Sequence, residues 1–130
     1  MLRLVADESG EVLHTFSGSS PSAFTLGRRH VGGSANISRE HCTFRFDGRD
    51  PHSVIVEDHD TKDGKPNPGH NCTYVDRRRI RCERVWAGSS IRLGGLGRKV
   101  GALYKEKAFP PGSYKCHLEA VAVAPDGASS

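Results

Sequence analysis

Apolar and polar residues alternate along this chain in short runs, each closed by a cluster of turn-forming residues. Leu2 to Ala6 and Glu11 to Phe16 flank Asp7-Glu8-Ser9-Gly10 and predict an opening hairpin. Ala23 to Leu26 predicts a third strand stopped by Gly27, and Arg28 to Ile37 a polar loop with Gly32-Gly33 at its middle. His41 to Phe46 has a period of two and ends at Asp47-Gly48, while Ser53 to Glu57 is β-branched and follows Pro51, so the two predict a central hairpin. His59 to His70 carries Gly64, Pro66, Asn67, Pro68 and Gly69, which predicts a long exposed loop without regular structure. Thr73 to Val75 resumes a strand. Val85 to Gly94 predicts a turn and then a strand, and Val100 to Tyr104 and Tyr114 to Val123 complete the pattern.

The expected fold class is all-β: an antiparallel β-sandwich of about ten to eleven short strands, with a ligand site in its apical loops. No amphipathic helix is evident. Residues 1–124 are expected to form a single domain and 125–130 a flexible tail or linker. Hydrophobic residues make up only 35% of the chain, with 15 glycines and 7 prolines, a balance that suits turns and short strands better than a helical bundle.

Nineteen Lys and Arg against fifteen Asp and Glu leave a net charge of +4, which favours an anionic partner without identifying one. The four cysteines form no Cys-x-x-Cys pair and no apolar signal segment opens the chain, so reduced, intracellular thiols are expected. No apolar run approaches the roughly 18 residues of a membrane-spanning helix.

Three polar groups stand at strand edges: Gly27-Arg28, Ser38-Arg39-Glu40-His41 and Asn71-Cys72-Thr73. Loops at one end of a sandwich can converge on one ligand, and the chemistry these residues share is phosphate capture. A lone arginine beside a loop is ordinarily a solvated charge; the constellation is what changes that reading.

In their order and spacing these motifs resemble the forkhead-associated domain, a family of phosphothreonine-binding β-sandwiches. The resemblance covers roughly residues 20 to 96 and rests on Leu26-Gly27-Arg28, Ser38-Arg39-Glu40-His41, Val56-Glu57-Asp58, Asn71-Cys72-Thr73-Tyr74-Val75 and Ile91-Arg92-Leu93-Gly94 after Gly88. It implies that Arg28 and Ser38 contact phosphate, that Arg39 adds a further contact, and that Asn71 bonds the main chain of a bound peptide. An arginine offers a planar fork of donors to phosphate, and an amide carries both donor and acceptor. Gly27, His41 and Thr73 are expected to support the site rather than touch the ligand.

Three departures from the family pattern stand out. Cys72 occupies a position where glycine is usual, so a backbone angle natural to glycine is expected there with a side chain present. His70 replaces a serine or threonine that commonly contacts phosphate. Asp60 to Gly69 reads as an insertion, so the missing contact falls either to Thr61 as a displaced hydroxyl or to His70 itself, whose contact would strengthen as pH falls through the imidazole pKa.

The expected function is therefore a phosphothreonine-peptide-binding interaction module with no catalysis and no cofactor. Its partner is expected to be a phosphorylated protein segment, with the Arg29 to Ile37 loop and the inserted loop meeting flanking positions, and the module is expected to belong to a larger protein or complex. A nuclear setting is implied by resemblance alone. The alternatives are a degenerate member that associates independently of phosphorylation, and a basic nucleic-acid-binding β domain built on Arg77-Arg78-Arg79-Ile80-Arg81. That run carries no interleaved aromatic pair, and a solvated hairpin edge that blocks strand addition is its plainer reading. His70, Cys72 and Cys82 match no standard zinc spacing, so no metal is expected. Cys42 reads as a buried core residue and Trp86 as a core or edge-packing aromatic. No nucleophile with a base is recognisable, which argues against an enzyme.

Overall fold

The computed structural model describes residues 1–18, 20–32, 37–59, 61–62, 65–66, 71–95, 97 and 99–121. Its strands are β1 (Leu2–Ala6), β2 (Val12–Phe16), β3 (Ser22–Leu26), β4 (Cys42–Phe46), β5 (Ser53–Asp58), β6 (Thr61–Lys62), β7 (Lys65–Pro66), β8 (Cys72–Val75), β9 (Arg78–Arg79), β10 (Cys82–Trp86), β11 (Ser90–Gly95) and β12 (Tyr114–Ala120). One helical turn, α1, spans Arg28–Val31, and a 3₁₀ turn spans Glu106–Ala108.

Ten of these strands form two antiparallel sheets. The first has the order β2-β1-β12-β11-β8-β9 and the second β10-β5-β4-β3. Alternation along each strand divides its side chains between the two faces. In β4, Cys42, Phe44 and Phe46 turn inward while Thr43 and Arg45 turn outward, as do their partners Thr25 on β3 and Glu57 on β5. Phe16 from the first sheet lies 5.8 Å from Phe46 and 6.4 Å from Phe44 of the second, so the aromatic rings join the layers. Each such fully buried side chain contributes about 1.5–3 kcal/mol relative to exposure.

Three local expectations are corrected and a fourth is narrowed. Arg28 to Ile37 is not wholly a polar loop, because Arg28–Val31 is helical and Ile37 is buried in the core. Within His59 to His70, Thr61 pairs with Pro66 and Lys62 with Lys65 in a two-residue ladder. Val100 to Tyr104 forms no strand, only a bridge from Leu103 to Arg78. Trp86 is 53% exposed at the end of β10, an edge strand of its sheet, which excludes the core alternative of its reading and leaves the edge one. The expected tail at 125–130 lies outside the described residues.

The basic run is likewise not an open hairpin edge. Asp76 and Arg77 form the two-residue turn between β8 and β9 with positive φ of 49° and 68°, the pairing geometry of a tight hairpin. Arg78 pairs with Glu83 at 3.0 Å, and Arg79 is 3% exposed against buried Asp58 at 3.2 Å. Main chain covers the outer edge of β9: Tyr104 N–H donates to Arg77 O at 2.9 Å and Arg79 N–H to Ala102 O at 3.0 Å. The following segment then packs its rings on the outer face of the first sheet, Phe109 lying 4.9 Å and Tyr104 5.7 Å from Tyr74.

Candidate functional site

The site grows from the neck of the loop between β3 and β4. There His41 N–H donates to Leu26 O at 2.9 Å and Arg28 N–H to Ser38 O at 3.0 Å. The two arms of the loop approach so closely that a β-carbon on Gly27 would lie 1.7 Å from the carbonyl oxygen of Arg39. Gly27 is extended at φ −160°, so glycine is required here for space and not for its dihedral freedom. Ile37, buried in the core, anchors the returning arm.

Arg28 closes the same neck with its side chain. Its Nε donates to Ile37 O at 2.9 Å, which fixes the stem of a half-buried guanidinium. No carboxylate pairs with it among the described residues. Ser38 is half-buried beside it, and Arg39 is exposed on the far arm.

His41 joins this loop to two others. Its buried imidazole accepts the Ser38 N–H at Nδ1, 3.1 Å away, and so carries its proton on Nε2, which donates to Cys72 O at 3.0 Å. Its own carbonyl accepts the His59 N–H at 3.1 Å. One residue therefore ties the arm bearing Ser38 to the ends of β5 and β8, and Asn71 directly precedes β8. Among the described residues Cys72 has no left-handed backbone, so the expected glycine-like angle is absent: the residue is a regular strand position, its side chain buried.

Beneath this junction Thr73 Oγ1 donates to Asp58 Oδ1 at 2.6 Å, and Asp58 pairs with Arg79. Thr73 thus braces β8 against β5. The sequence reading missed this buried strut because Arg79 sits inside a run of four arginines and Asp58 beside two other acids. The one available signal was the alternation that turns Arg79 and Thr73 opposite ways from their neighbours. It also missed His59, whose Nε2 lies 2.7 Å from Thr43 Oγ1, itself 3.0 Å from Thr25 Oγ1. These groups, with Arg45 and Glu57, line a groove of about 450 Å³ on the outer face of the second sheet.

The fold therefore brings together Gly27, Arg28, Ser38, Arg39 and His41, and through Cys72 and Asp58 it links them to Asn71 and Thr73. His70 and the Thr61 side chain lie outside the described residues. Burial pushes the Cys42 and Cys116 thiols up, which keeps them protonated and suits packing rather than nucleophilic chemistry. Among the described residues no three His, Cys, Asp or Glu side chains are grouped to hold a metal ion. No described helix is long and apolar enough to cross a membrane.

The model of the FHA domain family matches residues 20–94. Among solved structures, the FhaA FHA domain complexed with the intracellular domain of Rv3910 aligns with a TM-score of 0.58 at 18% identity, covering 92% of this chain and 100% of that one. A second, from work on phosphothreonine-dependent FHA domain interactions, aligns with a TM-score of 0.57 at 18% identity, covering 94% of this chain and 98% of the other. No curated protein sequence matches the chain.

Proposed function

The chain belongs to the forkhead-associated (FHA) domain family, and from that premise we propose that it is a non-catalytic module that binds a phosphothreonine-containing segment of a partner protein in its apical loops. The observation that carries this reading is the three-way junction at His41, which holds the loop neck bearing Arg28 on one arm and Ser38 on the other against the strand that Asn71 precedes.

In this mechanism the Nε bond of Arg28 to Ile37 O leaves its two terminal nitrogens to grip phosphate as a fork, a charge-assisted contact about twice as strong as a neutral one. The Ser38 hydroxyl adds a directional bond and Arg39 a peripheral one. Asn71 reads the peptide main chain with its amide. His41 contributes no ligand contact; it keeps both loops in one register. Either Thr61 or His70 supplies the remaining phosphate contact. Flanking peptide positions meet the Arg29 to Ile37 loop, the inserted loop and the groove of Thr43 and His59.

Cys72 keeps regular strand geometry, so a cysteine where the family has glycine distorts no backbone there and lends no support to a phosphorylation-independent member. A degenerate peptide library with a fixed phosphothreonine, compared with the same library carrying threonine, tests the proposal. Phosphate-dependent capture that is lost in Arg28→Ala supports it. Equal capture of both libraries, or capture unaffected by Arg28→Ala, overturns it.

A further inference from the structure

A second cluster of cations lies at the opposite end of β8. The Asp76-Arg77 turn, Ser90 and Arg92 on β11, Lys115 on β12 and Glu106 of the 3₁₀ turn enclose a cleft of about 280 Å³ on the outer face of the first sheet. Arg92 is in register with Tyr74 and the turn begins at Asp76, so at a rise of about 3.3 Å per residue this cleft lies roughly 10–16 Å along β8 from Asn71. It shares no residue with the apical loops.

Arg92 is the built part of the cleft. It is 7% exposed, its guanidinium stacks 4.4 Å from the centre of the Phe109 ring, and Nη1 donates to Ser113 Oγ at 3.3 Å. Nη2 donates to Glu106, while Nε is buried without a hydrogen-bond partner among the described residues. An arginine stacked and buried in this way has already lost the freedom that anion binding would otherwise cost.

The charges around it are unequal. Asp76 is engaged by the Ser90 N–H at 3.0 Å, and Glu106 by Arg92. Arg77 enters no ion pair among the described residues, and the nearest carboxylate to Lys115 is Asp7 at 3.8 Å. The Arg92 hydrogen bond, with the charges of Arg92, Lys115 and Arg77, pulls the Glu106 carboxyl below its ordinary range despite the opposing effect of burial. Three cations and two carboxylates thus line the cleft, and of those carboxylates Glu106, which belongs to the chain's own covering segment, is the one paired with Arg92.

We propose that this cleft is a second anion site, taking a phosphate monoester through Arg77, Arg92 and Lys115, with Glu106 as its resident competitor. A phosphate dianion carries more charge and more acceptors than a carboxylate, so it can engage Arg77 and Lys115 while displacing Glu106 from Arg92. The site is independent of the apical one.

The test is a titration of the ¹⁵N-labelled protein with inorganic phosphate at constant ionic strength, followed by phosphoserine as the amino acid. Saturating shifts are expected at the amides of Arg77, Ser90 and Arg92. Glu106→Gln removes the competitor and tightens the apparent Kd by about tenfold, whereas Arg77→Gly with Lys115→Gln weakens it by about tenfold or more. Arg28→Ala leaves these shifts in place. Tighter binding of phosphoserine identifies a phosphorylated side chain as the ligand, and equal binding identifies free phosphate; either supports the site. Linear shifts without saturation, or an unchanged Kd in Glu106→Gln, overturn it.

Discussion

The two ends of β8 hold their cations by opposite means. At the apical end Arg28 is fixed through Nε by a backbone carbonyl, and no described carboxylate competes for its fork. At the other end Arg92 is fixed by stacking on Phe109 and is already paired with Glu106. The difference teaches that in this fold a cation's availability depends on what immobilises it: a main-chain acceptor orders arginine without neutralising it, whereas a carboxylate does both. Phosphate should therefore bind more strongly at the apical loops than at the basal cleft.

The largest expected effect breaks what connects the two ends. Asp58 lies at the apical end of β5 and Arg79 beside the basal hairpin, so Arg79→Ala strands a buried carboxylate and should lower stability by about 3–5 kcal/mol in urea denaturation. His41→Ala comes next. It orphans the Ser38 N–H and the Cys72 carbonyl, and should cost roughly 2–5 kcal/mol together with apical phosphopeptide binding. A correctly folded His41→Ala protein that keeps full affinity would remove His41 from the account.

Arg28→Ala should weaken phosphopeptide binding by about tenfold or more without moving the phosphate-induced shifts at Arg77 and Ser90. Arg28→Lys keeps the charge and loses the fork, so an intermediate affinity separates geometry from charge. Smaller still, Arg77→Gly relieves a left-handed arginine and should raise stability by about 1 kcal/mol, read as a higher urea midpoint.

The pH dependence of the basal latch sharpens the contrast further. Because the folded protein holds Glu106 below its ordinary value of 4.5, the stability it contributes is fully present above that value and is lost as pH falls through the lowered one. The urea midpoints of the wild-type protein and Glu106→Gln should differ at pH 6 and converge as pH falls below 4.5 through the lowered value. A constant difference across that range would show that Glu106 is not held by its charge.

The neck of the apical loop was legible because the residues that close it meet near where they stand in sequence. Gly27-Arg28 and Ser38-Arg39-Glu40-His41 close one neck, and strand edges follow from alternation and turn chemistry. The strut and the basal cleft were not legible, because partners distant in the chain set their burial. Arg79 faces Asp58 from another sheet, and Arg92 is covered by a ring at Phe109. Nothing in Ile91-Arg92-Leu93 distinguishes an outward arginine under solvent from one under a covering segment. The same cause explains Val100 to Tyr104: its alternation suits a strand, yet it covers the edge of β9 through single bridging bonds.

The central claim is tested most directly by titrating a phosphothreonine peptide selected from the library into ¹⁵N-labelled protein, beside its threonine counterpart. Saturating shifts at Arg28, Ser38, Arg39 and Asn71 are expected for the phosphorylated peptide alone, and they should disappear in Arg28→Ala. Equal shifts from both peptides, or shifts confined to surfaces away from this loop junction, would contradict the account.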